Sequence, residues 1–288
     1  MRALEIVATG PLALVQDLGR PGYAHLGVPP SGALDAAALR LANRLAGNSE
    51  DAAGVETVLG GLEVRATESC TAAVTGPSVP VTVDGREVGS HVPVPLRAGQ
   101  RLTIGTPSTG LRCYLAVSGG LAVEPVLGSR SRDVLSGLGP VPLEPGMTVP
   151  LGSATGLPAG ADVVPPASAP AELVVPVLLG PRDDWLADAA AGLGCWWTVT
   201  AEVNRVGLRL DGPPLRRART GELPSEGIVT GAIQVPPDGQ PIVFLADHPT
   251  TGGYPVAATV RRKSLDALAQ VRPGTLLRFQ PSFRVWNG

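Results

Sequence analysis

Short apolar runs that alternate with polar residues, each cut off within a few positions by glycine or proline, recur along this chain from one end to the other. Alternation with period two puts successive side chains on opposite faces of a strand, and glycine or proline supplies the turn that ends it. VTVDGREV, residues 81 to 88, shows the unit in miniature, two alternating runs around Asp84-Gly85, a dipeptide suited to a two-residue hairpin turn. RLTIG and LRCYLAV flank TPSTG in the same manner, TVTAEV and VGLRL flank Asn204-Arg205, and GIVTGAIQV and QPIVFLAD flank PPDG. YPVAATV and TLLRFQ complete the set, and the whole predicts a mainly β chain. The 37 glycines and 30 prolines among 288 residues are scattered between these runs without a G-X-Y period, so they read as turns of a folded chain.

Helices are predicted to be few. In SGALDAAALRLANRLAGN, Leu34, Ala38, Leu41 and Leu45 fall on one face, Ser31 can cap the start, Asp35 complements the dipole and Gly47 ends it. PRDDWLADAAAGLG offers a second helix opened by Pro181, and SLDALAQV a shorter third, stopped by Pro273-Gly274. GSATGLPAGADVVPPASAPAE, residues 152 to 172, is small, proline-rich and aperiodic, as a linker is, which divides the chain into regions 1–160 and 161–288. GPLALVQDLG and GPRDDWLADA, each a Gly-Pro followed closely by acids, suggest a faint internal echo.

Hydrophobic residues make up 44% of the chain but aromatics only 3%, so the core must be built from Val, Leu, Ile and Ala. A formal net charge of -2 removes any electrostatic case for nucleic acid or an anionic membrane as partner. Of the 23 basic residues only Lys263 is lysine, and arginine suits fixed bidentate contacts with carboxylate or phosphate, although a GC-rich genome produces the same bias. No apolar run is long enough to span a membrane and MRALEIVATG lacks a signal peptide's apolar centre, which predicts a soluble, cytoplasmic protein. Cys70, Cys113 and Cys195 are odd in number and lack C-x-x-C spacing, so they read as structural thiols.

Several chemistries find no motif. There is no G-x-x-x-x-G-K-[ST], GLGPVP and GLGCWW lack the third glycine of a dinucleotide fingerprint, and neither G-x-S-x-G nor H-E-x-x-H occurs. His25, His91 and His248 are too dispersed to imply a metal site. What remains are dense polar loops. QDLGRPGYAHLGVPPSGALD holds Gln16, Asp17, Arg20, Tyr23, His25, Ser31 and Asp35 before a helix start, an arrangement able to bind an anion. The same residues also suit a winding loop in which Ser31 caps and Asp17 pairs with Arg20. GELPSEGIVTGAIQVP brings Glu222, Ser225, Glu226 and Gln234 to a strand start, where they could face a cleft or water. ADHPTTGGYP sets Asp247, His248, Thr250 and Thr251 before a Gly-Gly that admits close backbone approach. His248 suits either a structural or a catalytic role.

QDLGRPGYAHLGVPPSGALDAAALRLANRLAGN, VETVLGG, CYLAVSGG, VLGSRSRD, NRVGLRL and SEGIVTGAIQVPPDGQPIVFLADHPTTGGYPVAATV resemble, in the same order, the motifs of one family. It is described variously as the C component of 5-oxoprolinase, KipI antagonist (KipA), allophanate hydrolase subunit 2 and biotin-dependent carboxyltransferase domain. The resemblance implies cyclophilin-like β-barrel domains with a few short helices. It implies a subunit of an ATP-dependent 5-oxoprolinase, opening 5-oxoproline to glutamate with a KipI-type partner and a third, LamB/YcsF-type subunit. Related sequences imply two alternatives, the carboxyltransferase part of a biotin-dependent urea carboxylase and a non-catalytic antagonist that binds a KipI-like kinase inhibitor. Carried onto this chain, the resemblance points to Glu226 or Asp247 as proton acceptor and Arg20 or Arg205 as oxyanion or phosphate contact. It points to Gln16, Asp17, Ser31, Asp35, Asn204, Ser225, Gln234, Thr251, Gly252 and Gly253 for substrate binding, and to no metal. The chain departs from the family pattern at Leu34 and over RRKSLDALAQ, residues 261 to 270.

Overall fold

A computed structural model of the chain describes residues 2–154, 156–159, 166, 170–221 and 223–282. Much of the predicted linker, and Glu222, lie outside the described residues. The described residues within Met1–Arg20, Ser31–Asp133 and Gly137–Ala169 form one compact unit; those within Pro21–Pro30, Val134–Ser136 and Pro170–Gly288 form a second.

The first unit contains β1 (Ala3–Thr9), β2 (Leu12–Gln16), α1 (Ala36–Ala46), β3 (Gly54–Val58), β4 (Leu62–Ala66), β5 (Cys70–Thr75), β6 (Val81–Val83), β7 (Arg86–Glu87), β8 (Val94–Leu96), β9 (Arg101–Ile104), β10 (Arg112–Val117) and β11 (Thr148–Pro150). They form a six-stranded sheet in the order β11-β1-β4-β9-β6-β7 and a five-stranded sheet in the order β2-β3-β10-β5-β8. One apolar cluster draws alternate residues from both sheets, among them Leu4, Ile6, Val55, Val64, Val74, Leu102 and Leu115, and it contains no aromatic residue. The other face of the five-stranded sheet, through Ala73, Tyr114 and Ala116, packs on α1 residues Ala38, Leu39, Ala42, Leu45 and Ala46. With both faces covered, β10 is buried at all six positions, which is why LRCYLAV is apolar apart from Arg112 and Tyr114.

The Asp84-Gly85 hairpin forms as predicted, with φ of 49° and 79° at the two turn residues. The hairpin predicted between RLTIG and LRCYLAV does not, because β9 pairs with β4 and β6 while β10 pairs with β3 and β5 in the other sheet. Alternation marks a strand but not its partner. Helix α1 ends at Gly47 as predicted, but its cap is the Asp35 carboxylate, which accepts from Ala38 N at 2.9 Å.

In the second unit, β12 (Glu172–Leu179), β13 (Trp196–Val203), β14 (Gly207–Asp211), β16 (Ala232–Gln234), β17 (Ile242–Phe244), β19 (Val256–Val260) and β20 (Leu276–Ser282) close a barrel. The hairpins predicted at Asn204-Arg205 and at PPDG are its β13-β14 and β16-β17 pairs. Parallel pairing of β12 with β20, Glu172 opposite Leu276 through Leu178 opposite Ser282, shuts the ring. Two further strands, β15 (Glu226–Gly227) and β18 (Thr251–Gly252), form a separate ribbon. The second predicted helix is broken into a 3-10 turn, Asp183–Trp185, and α2 (Ala189–Leu193) capped by Asp188; the third is α3 (Leu265–Leu268), preceded by a 3-10 turn over Arg262–Ser264. Residues 12–16 are a strand while Asp183–Trp185 is a turn, so the suggested echo has no structural counterpart.

The mainly β architecture, closed barrel and short helices agree with the fold expected from sequence. No helix among the described residues is long and apolar enough to cross a membrane. Because Leu39 is fully buried between α1 and the sheet, Leu39→Ala is expected to cost about 2–5 kcal/mol. The measurement is a lower urea midpoint with an unchanged slope; an unchanged midpoint would show that this helix contributes no packing.

Candidate functional site

The polar loop residues singled out from sequence fall into three groups. The first lies in the first unit around segment 126–132. Asp17 follows directly on β2, and its Oδ1 accepts from Ser129 Oγ and Ser131 Oγ at 2.6 Å each and from Gly19 N at 2.8 Å; Oδ2 accepts from Arg130 N at 2.5 Å. Its partners are thus hydroxyls and backbone amides, not Arg20. Arg20 instead donates from Nε to the Val126 carbonyl at 3.2 Å and from Nη2 to the Ser131 carbonyl. The Arg132 carbonyl accepts from Gln16 Nε2 at 2.8 Å and from Ser31 Oγ at 3.2 Å. Ser31 sits at φ 53°, and a Cβ on Gly32 would lie 2.8 Å from Gly19 N, so only glycine fits where the loop folds back on itself.

Asp35 joins a buried network that sequence reasoning missed. Its amide donates to Tyr114 Oη at 2.8 Å, Tyr114 Oη donates to Glu56 Oε2 at 2.7 Å, and the same carboxylate oxygen accepts from Leu34 N at 3.0 Å. Arg112 Nε lies 3.6 Å from Glu56 Oε1. Burial first, then the Glu56 charge, drives the Tyr114 phenol well above its usual range, which keeps it neutral and able to donate. The signal was present in VETV and LRCY, where Glu56 and Tyr114 sit opposite each other across β3 and β10. All five first-loop candidates are buried, and the contacts described hold backbone in place.

The second group is in the other unit. Arg205 forms a bidentate pair with Asp247, Nε to Oδ2 at 2.8 Å and Nη2 to Oδ1 at 3.0 Å, and Asp247 Oδ2 also accepts from Val134 N at 3.0 Å. Both side chains are essentially solvent-free, at 2% and 0% exposure. Asn204 caps the adjoining turn, its Oδ1 accepting from Val206 N at 2.8 Å and Gly207 N at 3.1 Å. His248 is buried, with Nδ1 2.7 Å from the Pro249 carbonyl.

The third group is the β15-β18 ribbon, which sets Glu226 opposite Gly252 and Gly227 opposite Thr251. Ile228, next along the chain, anchors it in a small apolar cluster with Ala232, Phe244 and Val256. A Cβ on Gly252 would come within 2.6 Å of Gln234 Nε2, which donates to the Tyr254 carbonyl at 3.1 Å, so a side chain there would have to displace that amide. Ser225 and Thr251 are exposed and Gly253 is half-buried. Glu226 accepts from Arg182 in a fork, Nε lying 3.0 Å from both carboxylate oxygens and Nη2 also bonded to Oε1. The pair is open to solvent, with Arg182 38% and Glu226 27% exposed. That hydrogen-bonded guanidinium holds the Glu226 carboxyl below the usual carboxylate range. Arg182 was not among the sequence candidates, and the acids of GPRDD signal only a helix start. The ribbon is therefore where the structure gathers an ionised carboxylate, a guanidinium and two hydroxyls in reach of solvent.

Cys70 and Cys113 are buried, Cys195 is half-buried, and none of the three is in a disulfide. Among the described residues no three His, Cys, Asp or Glu side chains cluster in a way that could hold a metal ion.

Residues 26–281 match the family model of the carboxyltransferase domain, subdomain A and B. The chain is 37% identical over 289 residues to the C component of 5-oxoprolinase from Escherichia coli, covering 96% of this chain and 90% of that protein. It is 32% identical to urea amidolyase of Saccharomyces cerevisiae, covering 97% of this chain and 16% of that protein. Among solved structures it is similar to TTHA0988, with a TM-score of 0.88 and 35% identity, covering 97% of this chain and 55% of that one. It is also similar to the Kluyveromyces lactis urea amidolyase, with a TM-score of 0.87 and 29% identity. This chain thus spans about half the length of the solved TTHA0988 chain and 18% of the K. lactis enzyme.

The buried and exposed ion pairs predict unequal responses to mutation. Asp247→Asn leaves Arg205 buried beside a neutral group and is expected to cost about 3–5 kcal/mol, whereas Glu5→Gln, which breaks the exposed pair with Arg65, should change stability far less. Chemical denaturation of both variants decides this, and equal small losses would refute the structural role given to Asp247.

Proposed function

This chain belongs to the carboxyltransferase domain family, subdomain A and B, and from that premise we propose that it is a subunit of an ATP-dependent 5-oxoprolinase. In this reading it opens the lactam 5-oxoproline to glutamate as part of a complex with a KipI-like subunit and a LamB/YcsF-type subunit. The observation that carries it is the likeness to the C component of E. coli 5-oxoprolinase at 37% identity, over nearly the full length of both chains.

The chemistry available at the ribbon suits the reaction. Opening a stable lactam needs charge stabilised on the carbonyl oxygen and a base to take a proton from the attacking water. Arg182 supplies a fixed guanidinium and Glu226 a carboxylate that stays ionised to below the ordinary carboxylate range. Ser225 and Thr251 add exposed hydroxyls beside them, and Gln234 fixes the backbone of Tyr254. Glu226 thus takes the proton and Arg182 meets the developing oxyanion. Asp247 and Arg205, bound to each other and excluded from solvent, serve by positioning the loop that leads into β18. The cluster does not fit a triphosphate: a single guanidinium beside a carboxylate does not match its charge, and the ribbon strands are followed by barrel strands β16 and β19 instead of a glycine-rich turn into a helix. In this reading ATP belongs to the assembled complex.

A second reading, carboxyl transfer with biotin carried on a partner, is favoured by the likeness to urea amidolyase. The two part in one assay, in which the chain is purified with its neighbouring gene products and glutamate release from 5-oxoproline is followed with ATP. Release supports the first reading; a complete, folded complex that releases none but consumes carboxybiotin with urea overturns it.

Within an active complex, Glu226→Gln is expected to lower kcat about a hundredfold or more, with little change in Tm. Arg182→Gln removes the hydrogen bonds that depress the Glu226 carboxyl. A base held at a lower pKa stays functional to lower pH, so this substitution should move the acid limb of the kcat/KM profile upward. An acid limb that stays in place would remove Glu226 from the role of base.

A further inference from the structure

The first unit contains a cavity of about 1230 Å³, walled by β5, β8 and the β6-β7 hairpin, that is separate from every group of residues considered above. Among the described residues its lining includes three arginines, Arg2, Arg86 and Arg97, and no aspartate or glutamate. We propose that this cavity binds a small molecule bearing at least two negative charges, as phosphate or carboxylate, through Arg2, Arg86, Arg97 and the hydroxyl of Ser118.

Each donor is placed for this. Arg2 is fixed against the wall by neutral acceptors: Nη1 donates to the Gly152 carbonyl at 2.6 Å, and Nη2 to the Ser118 carbonyl at 3.0 Å and Ser118 Oγ at 3.1 Å. No carboxylate cancels its charge in these contacts, and its positive field reaches Cys70, where it partly offsets the upward push of burial on the thiol. Ser118 is 7% exposed, and its Oγ accepts from both Arg2 and Thr71 N. With both acceptor positions engaged, the hydroxyl proton is left to donate. Arg86 and Arg97 are exposed and form no ion pair among the described residues. The Asp84 carboxylate, whose field Arg86 feels, lies outside the lining and accepts from Arg101 N at 3.0 Å and Gln100 Nε2 at 2.9 Å. Gln100 Oε1 in turn accepts from Arg97 N at 2.9 Å, which ties the base of that arginine to the same turn.

The shape of the wall points to a small ligand, not a peptide strand. Strand β8 is the edge of its sheet, where an added strand would dock. Pro93, just before the strand, and Pro95, within it, lack backbone donors at alternate positions, so ladder pairing is blocked and recognition falls to side chains. The volume exceeds the roughly 300–1,000 Å³ common for ligand pockets, which leaves room for more than a single ion.

The test uses the full chain in calorimetric titrations at low salt with two probes, inorganic pyrophosphate and succinate. Saturable binding of pyrophosphate alone assigns the phosphate class, and of succinate alone the carboxylate class. Arg86→Ala and Arg97→Ala should each weaken the bound probe about tenfold, the loss expected of a charge-assisted hydrogen bond. Arg65→Ala, which removes a charge outside the cavity, should leave affinity unchanged. Failure of both probes to saturate, or equal weakening by all three substitutions, overturns the proposal. Neither outcome bears on Glu226, because the cavity and the ribbon share no residue.

Discussion

A buried carboxylate organises the irregular backbone of each unit. Asp17 accepts four hydrogen bonds, two from hydroxyls and two from amides, and so fixes the path of segment 126–132 beside β2. Asp247 accepts a bidentate guanidinium and the Val134 amide, and so fixes the turn at Arg205 to the loop that leads into β18. Loops rich in glycine have no ladder to satisfy their amides, and a carboxylate, with its four lone-pair positions, is the densest acceptor a side chain can offer. Desolvating such a group is costly, and the cost is met only while every partner stays in place. These loops are consequently held rigidly, and the glycines at 19 and 32 pack too tightly against each other to admit any other residue at position 32.

The same logic explains which parts of the fold were legible in the sequence. Asp84-Gly85 encodes its turn locally, because both residues must adopt positive φ. The end of α1 at Gly47 is local for the same reason. Strand partnership is not local: β9 and β10 flank a single connection yet enter different sheets, and the barrel closes by pairing β12, near the start of its unit, with β20 at the other end. The cap of α1 was misplaced because Ser31, a strong capping type, is used instead to hold the Arg132 carbonyl, while Asp35 caps.

The polar loop residues were legible as a group but not by role. Gln16, Asp17, Arg20, Asp35, Arg205 and Asp247 are the residue types that catalysis requires, and they are equally the types that buried loops require. Sequence carries no measure of burial that separates the two uses. Arg182 was illegible for the converse reason: it lies 44 residues from Glu226, in a turn whose acids suit a helix start and give no hint of a distant carboxylate partner.

Exposure is the physical quantity that separates them. Pulling Arg205 away from Asp247 leaves a charge stranded out of water, so that pair cannot open for a substrate without loosening the loops it binds. The Arg182–Glu226 pair is in contact with solvent, and either partner can exchange the other for water or for a ligand at small cost. A guanidinium that can turn from a carboxylate to a developing oxyanion, and a carboxylate then released to accept a proton, need that low cost of exchange. Of the ion pairs described for the sequence candidates, this one combines fixed geometry with freedom to change partner.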